Sequence, residues 1–122
     1  MRWLVDGMNV IGSRPDGWWR DRQGAMRKLV ERLGDFAAST GDEVAVIFDG
    51  KPFELSSDRV DVAFASRRGP NAADDDIAAR AEPDLTVVTS DRDLVRRVRE
   101  RGAEVVGAGE FLRLTSERRD SP

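Results

Sequence analysis

The stretch "EVAVIFDG", Glu43 to Gly50, decides the fold. Its apolar residues run without a polar break, and three of them are β-branched. A strand with one wet face alternates apolar and polar side chains; this one does not, so both its faces are expected to be covered. Such strands belong to parallel sheets clad by helices. The run also stops abruptly on Asp49 and Gly50. Two further segments share that design. "RWLVD" (2–6) reads as a short buried strand that ends on Asp6, and "DLTVVTS" (84–90) as another that runs into Asp91.

Outward from these strands, helices alternate with strands. A helix is expected from about Trp18 to Ser39, with Met26, Leu29, Val30, Leu33, Phe36 and Ala37 at helical spacing. "GMNVIGSRPDG" (7–17), "GKPFELSSD" (50–58) and "RRGPNA" (67–72) read as loops, on their Gly and Pro content. "RVDVAFAS" (59–66) alternates as a strand, with Val60, Val62 and Phe64 inward. "ADDDIAARA" (73–81) is a short helix with acids in its first turn, which suits the helix dipole. "DRDLVRRVRERG" (91–102) is a helix with Leu94, Val95 and Val98 on one face and Gly102 as its stop. "AEVVG" (103–107) is a short fifth strand, and "GEFLRL" (109–114) a final helical turn. The expected class is α/β, a mainly parallel sheet of about five strands flanked by helices. Residues 1–114 form one domain, and 115–122 read as a polar tail.

Composition removes several chemistries. The chain has 122 residues, no cysteine and no histidine. Disulfides, thiolate metal sites, imidazole bases and Ser-His triads are excluded together. Any metal must be held by oxygen, which points to Mg²⁺ or Mn²⁺. No apolar run is long enough to span a bilayer and no signal-peptide pattern precedes the first strand, so a cytoplasmic location is expected. The net charge of −3 does not mark a general nucleic-acid binder, but its distribution is uneven. Arginines gather at Arg20–Arg32, Arg67–Arg68 and Arg92–Arg101, and acids elsewhere.

In a parallel sheet the strand ends share one edge, and sites form there. Asp6, Asp49, Asp91 and Asp93 all fall at such ends, and Asp74, Asp75 and Asp76 open the helix before the fourth strand. Clustered carboxylates repel one another and resist ionisation when buried. A divalent cation resolves that conflict, and it can hold a phosphodiester and activate an attacking water. Several of these acids also have a plainer role: Asp6-Gly7 and Asp49-Gly50 suit turns, Asp93 suits a helix cap, and one of the three acids at 74–76 is expected to cap its helix. Asn9 is placed to bond Asp6 or a phosphate. The hydroxyls of Thr89 and Ser90 are placed to orient Asp91. Trp18 and Trp19 cannot both face the core, so one indole is expected to be exposed beside Arg20 and Arg22, where it can stack on an unpaired base.

The ordered set "LVDGMNVIG", "VAVIFDG", "VDVAFA", "NAADDDIAARA" and "VVTSDRDLVRRVRERGAEVVGAGEFL" resembles the YacP-like branch of the NYN domains, within the PIN-like nucleases. The resemblance spans Met1 to about Leu114. It implies a three-layer PIN-like domain with an acidic, metal-binding pocket for RNA cleavage. Asp6 matches the first-strand acid, with Asn9 as its companion, Asp74 the "ADD" acid, Asp91 and Asp93 the late "SD" pair, and Asp49 the "FDG" position. Longer members carry further helices that could contact a partner such as the ribosome, and a ribosome association is implied only through those.

The expectation is therefore a small metal-dependent endoribonuclease acting on single-stranded RNA. Asp6, Asp74, Asp91 and Asp93 are the catalytic acids, and the same four with Asp49 hold Mg²⁺ or Mn²⁺. Asn9, Arg20, Arg22, Arg67 and Arg68 line the RNA path. A non-catalytic RNA-binding module on the same fold is the alternative, disfavoured because clustered acids do not help hold phosphates. A receiver-like phospho-acceptor domain would need a second acid directly after the first strand and a late lysine, and "DGMN" and "VVGAGEF" supply neither.

Overall fold

A computed structural model describes residues 1–120, with side chains through Ser116. Five strands form one all-parallel sheet: β1 (Arg2–Asp6), β2 (Glu43–Phe48), β3 (Val60–Phe64), β4 (Leu85–Val88) and β5 (Glu104–Val106), in the order β3-β2-β1-β4-β5. Asp6 pairs in register with Ile47, and Val5 with Val88. The chain leaves β1 toward β2 and later returns to β4 on the other side. The crevice between the ends of β1 and β4 is thus the topological switch point, where open α/β sheets form their sites.

Helices cover both faces. α1 (Gly7–Gly12), α2 (Arg22–Thr40) and α5 (Ala108–Asp120) pack on one, over Trp3, Val5, Val46, Phe48 and Val88. α3 (Ala72–Arg80) and α4 (Arg92–Glu100) pack on the other, over Leu4, Ile47, Leu85 and Val87. Neighbouring residues of β1 therefore feed opposite cores, as the unbroken apolar run of β2 also requires. The α2 positions expected to face inward (Met26, Leu29, Val30, Leu33, Phe36 and Ala37) are all buried. Trp3, Phe36 and Phe111 meet ring to ring at 5.3–5.5 Å, joining β1, α2 and α5.

Three segments differ from the sequence reading. Residues 7–12, read as loop on their glycines, form α1, because Val10 and Ile11 reach the core on its buried face. Gly7 permits this abrupt strand-to-helix turn: a Cβ there would lie 2.4 Å from the Phe48 ring and 3.1 Å from the Ile47 carbonyl oxygen. The long helix expected from Trp18 opens instead as a 3-10 turn, Trp18–Arg20; α2 then starts behind Asp21, whose carboxylate accepts from the Gly24 N–H at 3.0 Å. The final turn expected at 109–114 is the longer α5. Arg32 holds it, donating to the Thr115 hydroxyl at 2.6 Å and the Leu112 carbonyl at 2.9 Å, and Thr115 is buried. The end of the expected tail, residues 121–122, lies outside the described residues. Among those described, no helix is long and apolar enough to cross a membrane.

Candidate active site

Asp6 is the last residue of β1, and its side chain is only 4% exposed. It stands at the N-cap of α1 but makes no side-chain cap. Its carboxylate instead accepts a hydrogen bond from the Thr89 hydroxyl, 2.9 Å away across the switch point. That same hydroxyl accepts from the Asp91 N–H at 3.2 Å, so one oxygen ties the first acid to the backbone of the second. Asp91 in turn caps α4, accepting from the Leu94 N–H at 3.0 Å. The Asn9 side chain accepts from the Ser90 N–H at 2.8 Å, and the Ser90 hydroxyl accepts from the Ala108 N–H. Asn9 thus clamps α1 to the β4 end rather than bonding Asp6 through its side chain.

The acids opening α3 part company. Asp76 turns back to β3, accepting from the Ser66 N–H at 2.6 Å and the Ser66 hydroxyl at 2.8 Å. Asp75 pairs with Arg67 and with Arg97, the latter at 3.0 Å. Asp74 faces the charges of Asp91 and Asp49, with Arg97 and Asp75 also acting on it. None of the three caps the helix, contrary to the sequence reading. The N-cap is Asn71, in a left-handed conformation, and Asp49 reaches across from the end of β2 to accept from the Ala73 N–H at 3.0 Å. Asp49 thereby serves an orphan donor of α3 while holding its charge near Asp6 and Asp74.

Burial pushes the Asp6 carboxyl up from its ordinary 3.8 to about 6, and repulsion from Asp74 and Asp49 adds to the rise. The Thr89 hydroxyl and the Asn9 backbone amide oppose it. The Asp74 carboxyl is also raised, first by burial and then by the charges of Asp91 and Asp49, with Arg97 opposing. Asp75 is instead held low by its bonds to Arg67 and Arg97. Under-compensated negative charge is therefore concentrated on Asp6 and Asp74, where a cation would gain most.

All the donors are oxygen, which suits a hard divalent ion. Among the described residues no three acidic side chains converge tightly enough to enclose a bare ion. That arrangement fits Mg²⁺ or Mn²⁺ held by one or two carboxylates with several waters retained, rather than a dehydrated cage.

Asp93 takes no part in the contacts that link Asp6, Asp49, Asp74 and Asp91 among the described residues. It is exposed in the first turn of α4 and pairs with Arg96 at 2.6 Å. Of the arginines, Arg22 donates to the Asp49 carbonyl at 3.1 Å, beside the pocket, and Arg67 is engaged by Asp75. Arg68 is exposed on the loop before α3 and makes no ion pair among the described residues. Arg20 lies 6.0 Å from the Trp19 ring centre. Trp19 is 58% exposed, while Trp18 packs against the core, the division of labour expected for adjacent indoles. Arg97 escaped the sequence reading. Only the approach of α4 to α3 reveals that it serves Asp75 and moderates Asp74.

The sequence matches the YacP-like NYN domain family over residues 3–121. The chain belongs to that family. Its solved relatives include Rae1 (YacP) from Bacillus subtilis, 25% identical, with a TM-score of 0.81 over 98% of this chain and 75% of that one. The W164L mutant of Rae1 (YacP) from the same organism is 26% identical, with a TM-score of 0.80 over 97% of this chain and 76% of that one. No curated protein sequence matches. This YacP-like NYN domain is thus a three-layer PIN-like α/β domain, of a family whose members are RNase-type and typically use divalent metals.

Proposed function

We propose that this NYN domain is a metal-dependent endoribonuclease that cuts single-stranded RNA in the cytoplasm. The observation that carries the reading is Asp6: a carboxylate buried at the switch point, repelled by Asp74 and Asp49 and without a cationic partner among the described residues. Burying such a charge is costly, and a fold that retains it calls for a counter-ion. Of Asp6, Asp49, Asp74 and Asp91, one or two would hold Mg²⁺ or Mn²⁺ directly and the others through its waters. When bound, the cation supplies Lewis-acid chemistry: it lowers the pKa of a coordinated water and offsets charge on the phosphodiester.

The chain's own groups set the stage. Thr89 fixes the Asp6 carboxylate, and its link to the Asp91 backbone holds the two strand ends in register. Asn9 locks α1 to β4 so that this register cannot slip. Asp49 is oriented by the Ala73 N–H and braced by Arg22 on its carbonyl. Asp93 joins the acid set once its exposed pair with Arg96 opens, which costs little in water. Arg20, Arg22, Arg67 and Arg68 flank the recess with positive charge and steer a strand toward it. The recess favours single strands, because a stiff duplex presents its backbone poorly to a carboxylate as buried as Asp6.

The test is cleavage of a mixed pool of single-stranded and duplex RNA in Mn²⁺ and in EDTA. Cleavage of the single strands in Mn²⁺, lost in EDTA and lost in Asp6→Asn and Asp91→Asn, supports the reading. Binding without cleavage in any metal would assign the domain to the non-catalytic class instead.

A further inference from the structure

A cavity of about 410 Å³ lies on the α1–α2–α5 side of the sheet. Its inner wall is apolar, with Val10 and Ile11 from α1 and Leu112 from α5. The half-buried indole of Trp18 forms one side, steadied edge to face by Trp19 at 5.9 Å. Arg14 and Lys28 also line it, both exposed and both without an ion pair among the described residues, together with Arg32 and three acids, Asp16, Asp21 and Glu31. None of these residues has a part in the acid pocket.

The volume is that of a small-ligand site, with an apolar inner wall and a charged rim of both signs. A flat indole over aliphatic side chains suits a planar aromatic guest, and unpaired cations suit the phosphates attached to it. The position ties it to the first site. α1 starts directly after Asp6, and its residues at the cavity wall, Val10 and Ile11, lie roughly 6 to 8 Å farther along its axis at the helical rise. A strand that crosses the sheet edge from the acids and follows α1 would reach the cavity.

We propose that this cavity receives one unpaired nucleobase of the RNA strand bound at the acid pocket, stacked on Trp18 with its flanking phosphates on Arg14 and Lys28. The proposal rests on the ribonuclease reading for the identity of the strand. It adds a specificity site: cleavage falls at a fixed distance from an unpaired base, which selects loops and single-stranded segments.

The experiment is a binding cycle on the full chain in EDTA, in the Asp6→Asn background so that nothing is cut. The probes are one short single-stranded RNA and a set of copies, each abasic at one position. Trp18→Ala is expected to weaken binding about tenfold, the usual scale of one base–aromatic stack. One abasic position should cost the Trp18 protein a similar factor and cost Trp18→Ala little more, the signature of a direct pair. Should Trp18→Ala lose its fold, Trp18→Phe takes its place and is expected to give a smaller loss at the same position. Arg14→Ala/Lys28→Ala changes two exposed side chains and should flatten the salt dependence by about 0.7 for each phosphate no longer neutralised. Losses that multiply at every position, or no RNA binding at all, overturn the proposal. Cleavage by the unsubstituted protein in Mn²⁺ is followed in parallel. Cleavage without Trp18 coupling removes the cavity from the RNA path and leaves the ribonuclease reading intact. Coupling without cleavage supports the cavity and overturns that reading instead.

Discussion

Replacing Asp6 with asparagine should make the metal-free protein more stable, although it removes the acid on which the proposed activity depends. Asparagine has the same shape, its side-chain oxygen can still accept from the Thr89 hydroxyl, and its amide can donate toward the neighbouring carboxylates. The carboxyl of the folded protein titrates near 6, against an ordinary 3.8. At 1.36 kcal/mol per pH unit the difference corresponds to about 3 kcal/mol. A carboxyl whose folded-state pKa lies above its unfolded value takes up protons on folding. Its destabilising effect is therefore absent below pH 3.8, grows as pH rises, and is complete above about pH 6. Urea unfolding in EDTA measures it. With a slope of about 1–3 kcal/mol per molar urea for a small domain, the Asp6→Asn midpoint should rise by about 1 M or more at pH 7.5. Little of the gain should remain at pH 4. In saturating Mn²⁺ the gap should narrow or reverse, because the ion stabilises only the native parent. A variant no more stable than the parent at pH 7.5, or equally favoured at both pH values, would refute the claim that Asp6 is held as a strained charge.

Other substitutions read the same architecture. Gly7→Ala forces a methyl against the Phe48 ring and should cost about 1–3 kcal/mol in urea unfolding; an unchanged midpoint would show that the β1–α1 turn has room to yield. Thr89→Val removes a bond that lowers the Asp6 pKa, so carboxyl titration by NMR should place Asp6 higher than in the parent, and an unmoved value would discount that bond. Arg97→Ala removes the cation that opposes the rise at Asp74, so Mn²⁺ should bind more tightly in a calorimetric titration; weaker binding would mean that Arg97 organises the pocket through Asp75. Arg67→Ala/Arg68→Ala should flatten the salt dependence of single-strand binding, by about 0.7 for each phosphate released from its arginine, and an unaltered slope would move the RNA path elsewhere.

Much of this was legible in the sequence, for a physical reason. Strands covered on both faces advertise themselves as unbroken apolar runs, as in "EVAVIFDG", and a parallel sheet must gather their ends on one edge. Asp6, Asp49 and Asp91 could therefore be brought together from the pattern alone. What stayed hidden depended on contacts between distant segments. α1 was masked by its two glycines, since local propensity says nothing of the core that Val10 and Ile11 reach. Three consecutive aspartates at 74–76 are equivalent on paper. They become distinct only when Ser66 claims Asp76 and Arg67 and Arg97 claim Asp75. Asp93 resembles Asp91 in sequence, yet standing two residues farther on, inside the first turn of α4, it pairs with Arg96.

The central claim is that the strand-end acids hold a divalent cation, and calorimetric titration of Mn²⁺ tests it most directly. Saturable binding to the parent is expected, abolished or greatly weakened in Asp6→Asn and little changed in Asp76→Asn, whose carboxylate is turned to Ser66. No saturable binding to the parent, or equal binding to Asp6→Asn, would contradict it.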